Sequence, residues 1–91
     1  MKLTQTERFI HQFRRLAKGN PRVVAQVEKT FRYLIAFPPA HPSLRMKRVQ
    51  GTDAVFECSV NMDLRITFEF VDGHTLLLRN INHHDKALKH Y

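Results

Sequence analysis

Tryptophan is absent from these 91 residues, and cysteine occurs only once, glycine three times and proline four times. The single Cys58 excludes an internal disulfide, so the fold must rest on an apolar core. Its place in an alternating apolar run points to a buried thiol in a reducing compartment, which makes the cytoplasm the expected location. Low-complexity stretches and internal repeats are missing too, and the composition is that of a globular chain. No apolar run approaches the roughly 20 residues of a membrane span, and the opening MKLTQTERF lacks the apolar centre of a signal peptide, so no membrane association is expected. Acid is scarce as well, with eight Asp and Glu against fifteen Lys and Arg, a net charge of +7. Such an excess draws polyanions by releasing their counterions, but it also simply keeps a small protein soluble. Nucleic acid is therefore the first partner to consider, without being assigned. Glycine-rich phosphate loops, nucleophile elbows and HExxH zinc motifs are all missing, which removes the enzyme classes that depend on them.

What is present reads as one domain over residues 1–91, because a chain this short buries only about 60 to 65% of its unfolded surface and has no room for a second core. Phe9, Phe13, Leu16 and Ala17 recur at helical spacing and predict a first helix from about residue 5 to 18, with Thr4 and Glu7 at the offset of a capping box. Gly19 suits the left-handed turn that ends it, and Asn20 and Pro21 supply the N-cap and first residue of a second helix. In that helix Val24, Val27, Phe31, Leu34 and Ile35 form the apolar stripe, and Pro38 and Pro39 end it. Phe31, Tyr33 and Phe37 are expected to pack in the core or against the helices.

Beyond PPAHPS the apolar period changes from 3.6 to 2. Leu44 and Met46 open a strand running to a turn at Gly51, Thr52 and Asp53. Ala54, Phe56, Cys58 and Val60 then alternate with Val55, Glu57 and Ser59, and Leu64, Ile66, Phe68 and Phe70 with Arg65, Thr67 and Glu69. Asp72-Gly73 turns the chain into a last strand, His74 to Ile81, whose three leucines leave its inward set open. The opening LysLeuThr is a weak candidate for an edge strand. The expected fold is α+β, a two-layer sandwich with a helical hairpin on one face of an antiparallel sheet. Glu57, Ser59, Arg65 and Thr67 should emerge together on the other, open face.

Three of the six histidines, His83, His84 and His90, fall in the last twelve residues. Cutting RNA without a metal requires a base for the ribose 2′-OH, cations to offset the charge on phosphorus, and an acid for the leaving 5′-oxygen. Histidine, with an ordinary pKa of about 6.5, suits the acid, and the planar fork of arginine suits the phosphate. His84 and Arg65 are the natural pair. Glu57, Asp63, His83 and a lysine among cations are all candidates for the base, and spacing selects none of them. Plainer readings stand beside these: Arg65 in a cross-strand ion pair with Glu57 or Glu69, His83-His84 and His90-Tyr91 as a frayed end, and Lys47-Arg48 as a solvated strand edge. A zinc site from His83, His84, Asp85 and His90 matches no usual ligand spacing, and no cofactor is expected.

Four segments, LTQTERFIHQFRRL, HPSLRMKRVQG, FECSVNMDLRITF and LLLRNINHHDKAL, together cover most of the chain. In this order they resemble the RelE/ParE superfamily of bacterial toxins, above all its YafQ and YoeB-like branches, the messenger-RNA interferases of type II toxin-antitoxin pairs. The resemblance implies a RelE-like fold, metal-independent and ribosome-dependent cleavage of mRNA, a cognate antitoxin seated on the basic face, and operator DNA reached through the antitoxin complex. It implies a catalytic role for His84 and a phosphate-stabilising one for Arg65. Asp63 is similar to the acidic residue of YafQ-like members, and Lys47 falls where relatives carry histidine or lysine. Ser59 stands where YafQ-like toxins have a second histidine. Arg45, Lys47, Arg48, Arg79 and Tyr91 are the residues expected to contact RNA, with Leu88 at the family's aromatic position. Two other functions remain open: a ParE-like toxin that poisons DNA gyrase, and a non-catalytic partner-binding domain.

Overall fold

The computed structural model describes residues 1–36 and 41–84. Among the described residues the strands and longer helices follow in the order β1 (Lys2–Gln5), α1 (Glu7–Ala17), α2 (Pro21–Ile35), β2 (Lys47–Arg48), β3 (Val55–Ser59), β4 (Leu64–Asp72) and β5 (Thr75–His83). A short 3₁₀ helix, Pro42–Leu44, precedes β2. The strands form one sheet in the order β1-β5-β4-β3-β2, antiparallel except for β1, which runs parallel to β5. The sheet is therefore mixed, and the weak LysLeuThr signal marks a genuine edge strand.

The helical hairpin is built by its caps. Thr6, not Thr4, is the N-cap of α1: its hydroxyl accepts from the Phe9 N–H and donates to the Arg79 carbonyl, so one side chain starts the helix and ties it to β5. Thr4 is already in β1, where its hydroxyl donates to the Leu76 carbonyl. Gly19 takes φ +65°, which a residue with a Cβ adopts at a cost. Asn20 Oδ1 then accepts from the Val23 N–H, and Pro21 opens α2. Phe9, Val27 and Leu34 pack against Cys58, Ile66, Phe68, Leu76, Leu78 and Ile81 from the sheet. Each fully buried large aliphatic or aromatic side chain of this kind contributes about 1.5 to 3 kcal/mol. Ile35, expected in the stripe, is exposed, and Thr30 is buried instead, its hydroxyl donating to the Gln26 carbonyl one turn back.

Two further expectations change. Leu44 and Met46 do not open a strand: Leu44 closes the 3₁₀ turn as a core residue, and Arg45 follows at φ 46° and ψ 46° before β2 begins at Lys47. Pro42, which has no N–H to give to a ladder, accounts for the turn. The ambiguous leucines are resolved by a bulge. Thr67 pairs with Asn80 and Phe68 with Leu78, leaving Arg79 as the extra residue. Leu76 and Leu78 therefore face the helices, as does Ile81 beyond the bulge.

Candidate functional site

Because Cys58, Ile66, Phe68 and Ile81 face the helices, strand alternation sends Glu57, Ser59, Arg65, Thr67, Asn80 and Asn82 to the other face. The register sorts them into rows. Lys47, Glu57, Thr67 and Asn80 align across four strands, and Ser59, Arg65 and Asn82 form the next row. Successive rows lie about 7 Å apart, the length of two strand residues. Beyond that row the His84 N–H donates to the Asp63 carbonyl at 2.8 Å, which ties the residue after β5 to the residue before β4.

The first row is not open, contrary to what the alternation alone suggests. Glu57 is 2% exposed and Thr67 fully buried. Glu57 Oε1 pairs with Lys47 Nζ at 3.2 Å, while Lys47 itself is largely in solvent. Neither Glu57 Oε2 nor Thr67 Oγ1 has a hydrogen-bond partner among the described residues. Buried polar atoms left this way are uncommon, and they cluster where a function needs them.

Arg65 forms no ion pair with Glu57 or Glu69; Glu57 is taken by Lys47, and Glu69 Oε1 binds Arg79 Nη1 at 2.8 Å. Instead Arg65 Nη1 donates to the carbonyls of Asn61, Met62 and Leu64 at 2.7, 3.2 and 3.1 Å. The β3–β4 turn that offers these carbonyls is itself fixed by Asn61 Oδ1, which accepts from the N–H groups of Asp63 and Leu64. One corner of the guanidinium is thereby anchored. Its Nε and Nη2, the two donors of a side-on fork, make no hydrogen bond among the described residues.

His84 is half-buried, and its Nδ1 is enclosed without a partner among the described residues. His83 pairs with Leu64, which turns it to the helix side of the sheet, away from Arg65. Asp63 is exposed in the turn just before β4. Arg45 and Arg48 are exposed around β2, and Arg48 pairs with Phe56 on the row facing the helices. Asp85, Leu88, His90 and Tyr91 lie outside the described residues, as do Phe37, Pro38 and Pro39. Among the described residues no three His, Cys, Asp or Glu side chains cluster as metal ligands.

Cys58 sits on the helix side, where burial and the neighbouring Glu57 charge push its thiol up to about 12. A thiol so held is no nucleophile at neutral pH.

Sequence reasoning missed a cavity of about 460 Å³ between α2, the 3₁₀ turn and the β3–β4 turn. Tyr33, partly buried against the core as expected, also lines it and stacks on His41 with ring centroids 3.7 Å apart. Its sequence signal was faint, a recurrence of Arg22, Gln26, Lys29 and Tyr33 along one flank of α2.

No family model and no curated protein matches the chain. Solved structures do. A metal-bound toxin from Helicobacter pylori aligns with 94% of this chain and 97% of its own, with a TM-score of 0.78 at 18% identity. The YoeB/ParE toxin from Agrobacterium tumefaciens covers 92% and 99%, with a TM-score of 0.76 at 15% identity. A chain of the DinJ-YafQ complex from E. coli covers 93% and 94%, with a TM-score of 0.74 at 14% identity. Among the described residues, two helices packed on one face of a five-stranded mixed sheet therefore make up the α+β fold of the RelE-like toxins.

Proposed function

We propose that this chain is the toxin of a toxin-antitoxin pair and that it cleaves mRNA, on the ribosome and without a metal. The observation that carries the reading is the anchored guanidinium of Arg65, whose Nε and Nη2 make no hydrogen bond among the described residues, in a row whose β5 member, Asn82, lies two residues before His84. In the proposed reaction the Asp63 carboxylate, exposed two residues before Arg65, takes the proton of a ribose 2′-OH. The resulting alkoxide attacks the adjacent phosphorus, the P–O5′ bond breaks, and His84 Nε2–H protonates the departing 5′-oxygen. The products are a 2′,3′-cyclic phosphate and a 5′-hydroxyl end. Arg65 Nε and Nη2 offset the charge of the pentacoordinate phosphate, a task for which a planar fork is better shaped than an ammonium. Asp63 is favoured as base over Glu57 because Glu57 is buried and held by Lys47. His83 is set aside because it faces the other way. Arg45, Lys47, Arg48 and Arg79 are the described cations proposed to carry the RNA backbone, with operator DNA reached only through the antitoxin complex. Such a protein would act in the cytoplasm, and the likeness to a chain of the DinJ-YafQ complex supports an antitoxin partner.

Expression without a partner tests this directly. Growth and translation should stop, and His84→Ala or Arg65→Gln should relieve the arrest while leaving the folded protein in the soluble fraction. Full toxicity of both variants would contradict the assignment. DNA damage with intact mRNA would point instead to a toxin acting on gyrase, and no effect on growth to a binding domain.

A further inference from the structure

Arg22, Lys29 and Arg45 all line the cavity between α2 and the β3–β4 turn, and no acidic residue among the described ones does. None of the three forms an ion pair among the described residues. Three uncompensated cations around one concavity repel one another, and an anion relieves that repulsion. Polar groups converge on the same space. Asn61 Nδ2 donates to Gln26 Oε1 at 2.9 Å, joining the turn to the helix across the cavity, and Ser59 stands at the rim. Tyr33 supplies an aromatic wall, fixed by its stack on His41, and Lys29 Nζ lies 5.9 Å from its ring centroid. His41 is fixed in turn, because its Nδ1 accepts from the Ser43 N–H. A cavity of about 460 Å³ falls within the range of small-molecule sites, roughly 300 to 1,000 Å³, and this one offers cations for a phosphate beside amide and hydroxyl groups for a base or ribose.

Position decides which anion. Ser59 is the strand partner of Arg65, so the rim of the cavity is one strand away from the guanidinium assigned to the scissile phosphate. The β3–β4 turn is a shared wall: Asn61 faces the cavity with its side chain and binds Arg65 with its carbonyl. We propose that this cavity is a nucleotide subsite holding one unit of single-stranded RNA that flanks the cleaved phosphodiester, its phosphate among Arg22, Lys29 and Arg45. The proposal rests on the nuclease reading above and extends it to a second region of binding outside the row of Arg65.

The test is fluorescence anisotropy of the full chain with a labelled 2′-O-methyl RNA octamer, which cannot be cut because the attacking hydroxyl is blocked. The R22Q/K29Q variant keeps the helix-compatible stems and removes the charge; melting curves should match those of the parent, since both residues are exposed on α2. Removal of each cation that holds the phosphate should weaken binding about ten-fold, and the salt dependence should flatten by about one per cation. Nucleoside monophosphate should compete with the octamer for the parent and not for the variant. Unchanged affinity and salt slope in the variant overturn the proposal, and leave the nuclease reading standing if mRNA is still cut in cells. Loss of binding to an acidic antitoxin peptide with RNA binding intact also overturns it, giving the cavity to a protein partner. RNA held through the cavity by a chain that cuts no mRNA would sink the nuclease reading alone.

Discussion

The two faces of the sheet are made by the same strands, yet they obey different rules. On the helix side Cys58, Ile66, Phe68, Leu76, Leu78 and Ile81 are fully buried against Phe9, Val27 and Leu34, and this face sets stability. On the other side, one residue along each strand, stand Glu57, Thr67, Arg65 and Asn82. Polar atoms there are buried without full satisfaction, which costs stability and is retained where chemistry needs it. On the proposed function, this contrast separates holding the shape from acting, with the period-2 alternation assigning each task to one side.

Substitutions on the two faces should therefore fail in different ways. The largest effect is expected from Phe68→Ala, which empties the centre of the helix side and should cost about 3 to 5 kcal/mol, read from urea unfolding. A smaller loss with native-like melting would mean that the two layers collapse onto the space. On the polar face the Lys47 and Glu57 pair gives an asymmetric expectation. Lys47→Ala leaves a buried carboxylate with no cation and should cost about 1 to 3 kcal/mol, whereas Glu57→Gln leaves a solvated ammonium and should cost less. Equal costs would show that burial of Glu57 is unimportant. Arg65→Lys keeps the charge but loses the fork, and should abolish toxicity while shifting the melting temperature by only a few degrees. The smallest effect concerns Cys58, which should resist Ellman's reagent at pH 8 until denaturant is added. Its contribution to stability is fully present below the ordinary thiol pKa of 9.0 and is lost as the pH rises toward the folded value of about 12.

Much of this division was legible in the sequence, because alternation and punctuation are local signals. Gly19, Asn20 and Pro21 marked the join of the helices, Asp72-Gly73 the last hairpin, and the alternation around Cys58 and Ile66 the inward set. The parallel pairing of β1 with β5 was not legible, since a few residues at one end say nothing of a partner more than 70 positions away. The bulge at Arg79 was hidden by three consecutive leucines, any of which suits either face. The candidate site was half visible. Arg65 and His84 stand out by their chemistry, but the turn carbonyls that hold Arg65 are backbone groups, and burial of Glu57 is a tertiary effect. The cavity required α2, the 3₁₀ turn and the β3–β4 turn to meet, and no segment alone carries that information.

The most direct test of the Arg65 and His84 pair is primer extension on cellular mRNA after brief induction, comparing the parent chain with His84→Ala and Arg65→Gln. Discrete new 5′ ends are predicted in the parent and absent from both variants at equal levels of folded protein. The same cleavage ladder in all three would contradict the proposed chemistry.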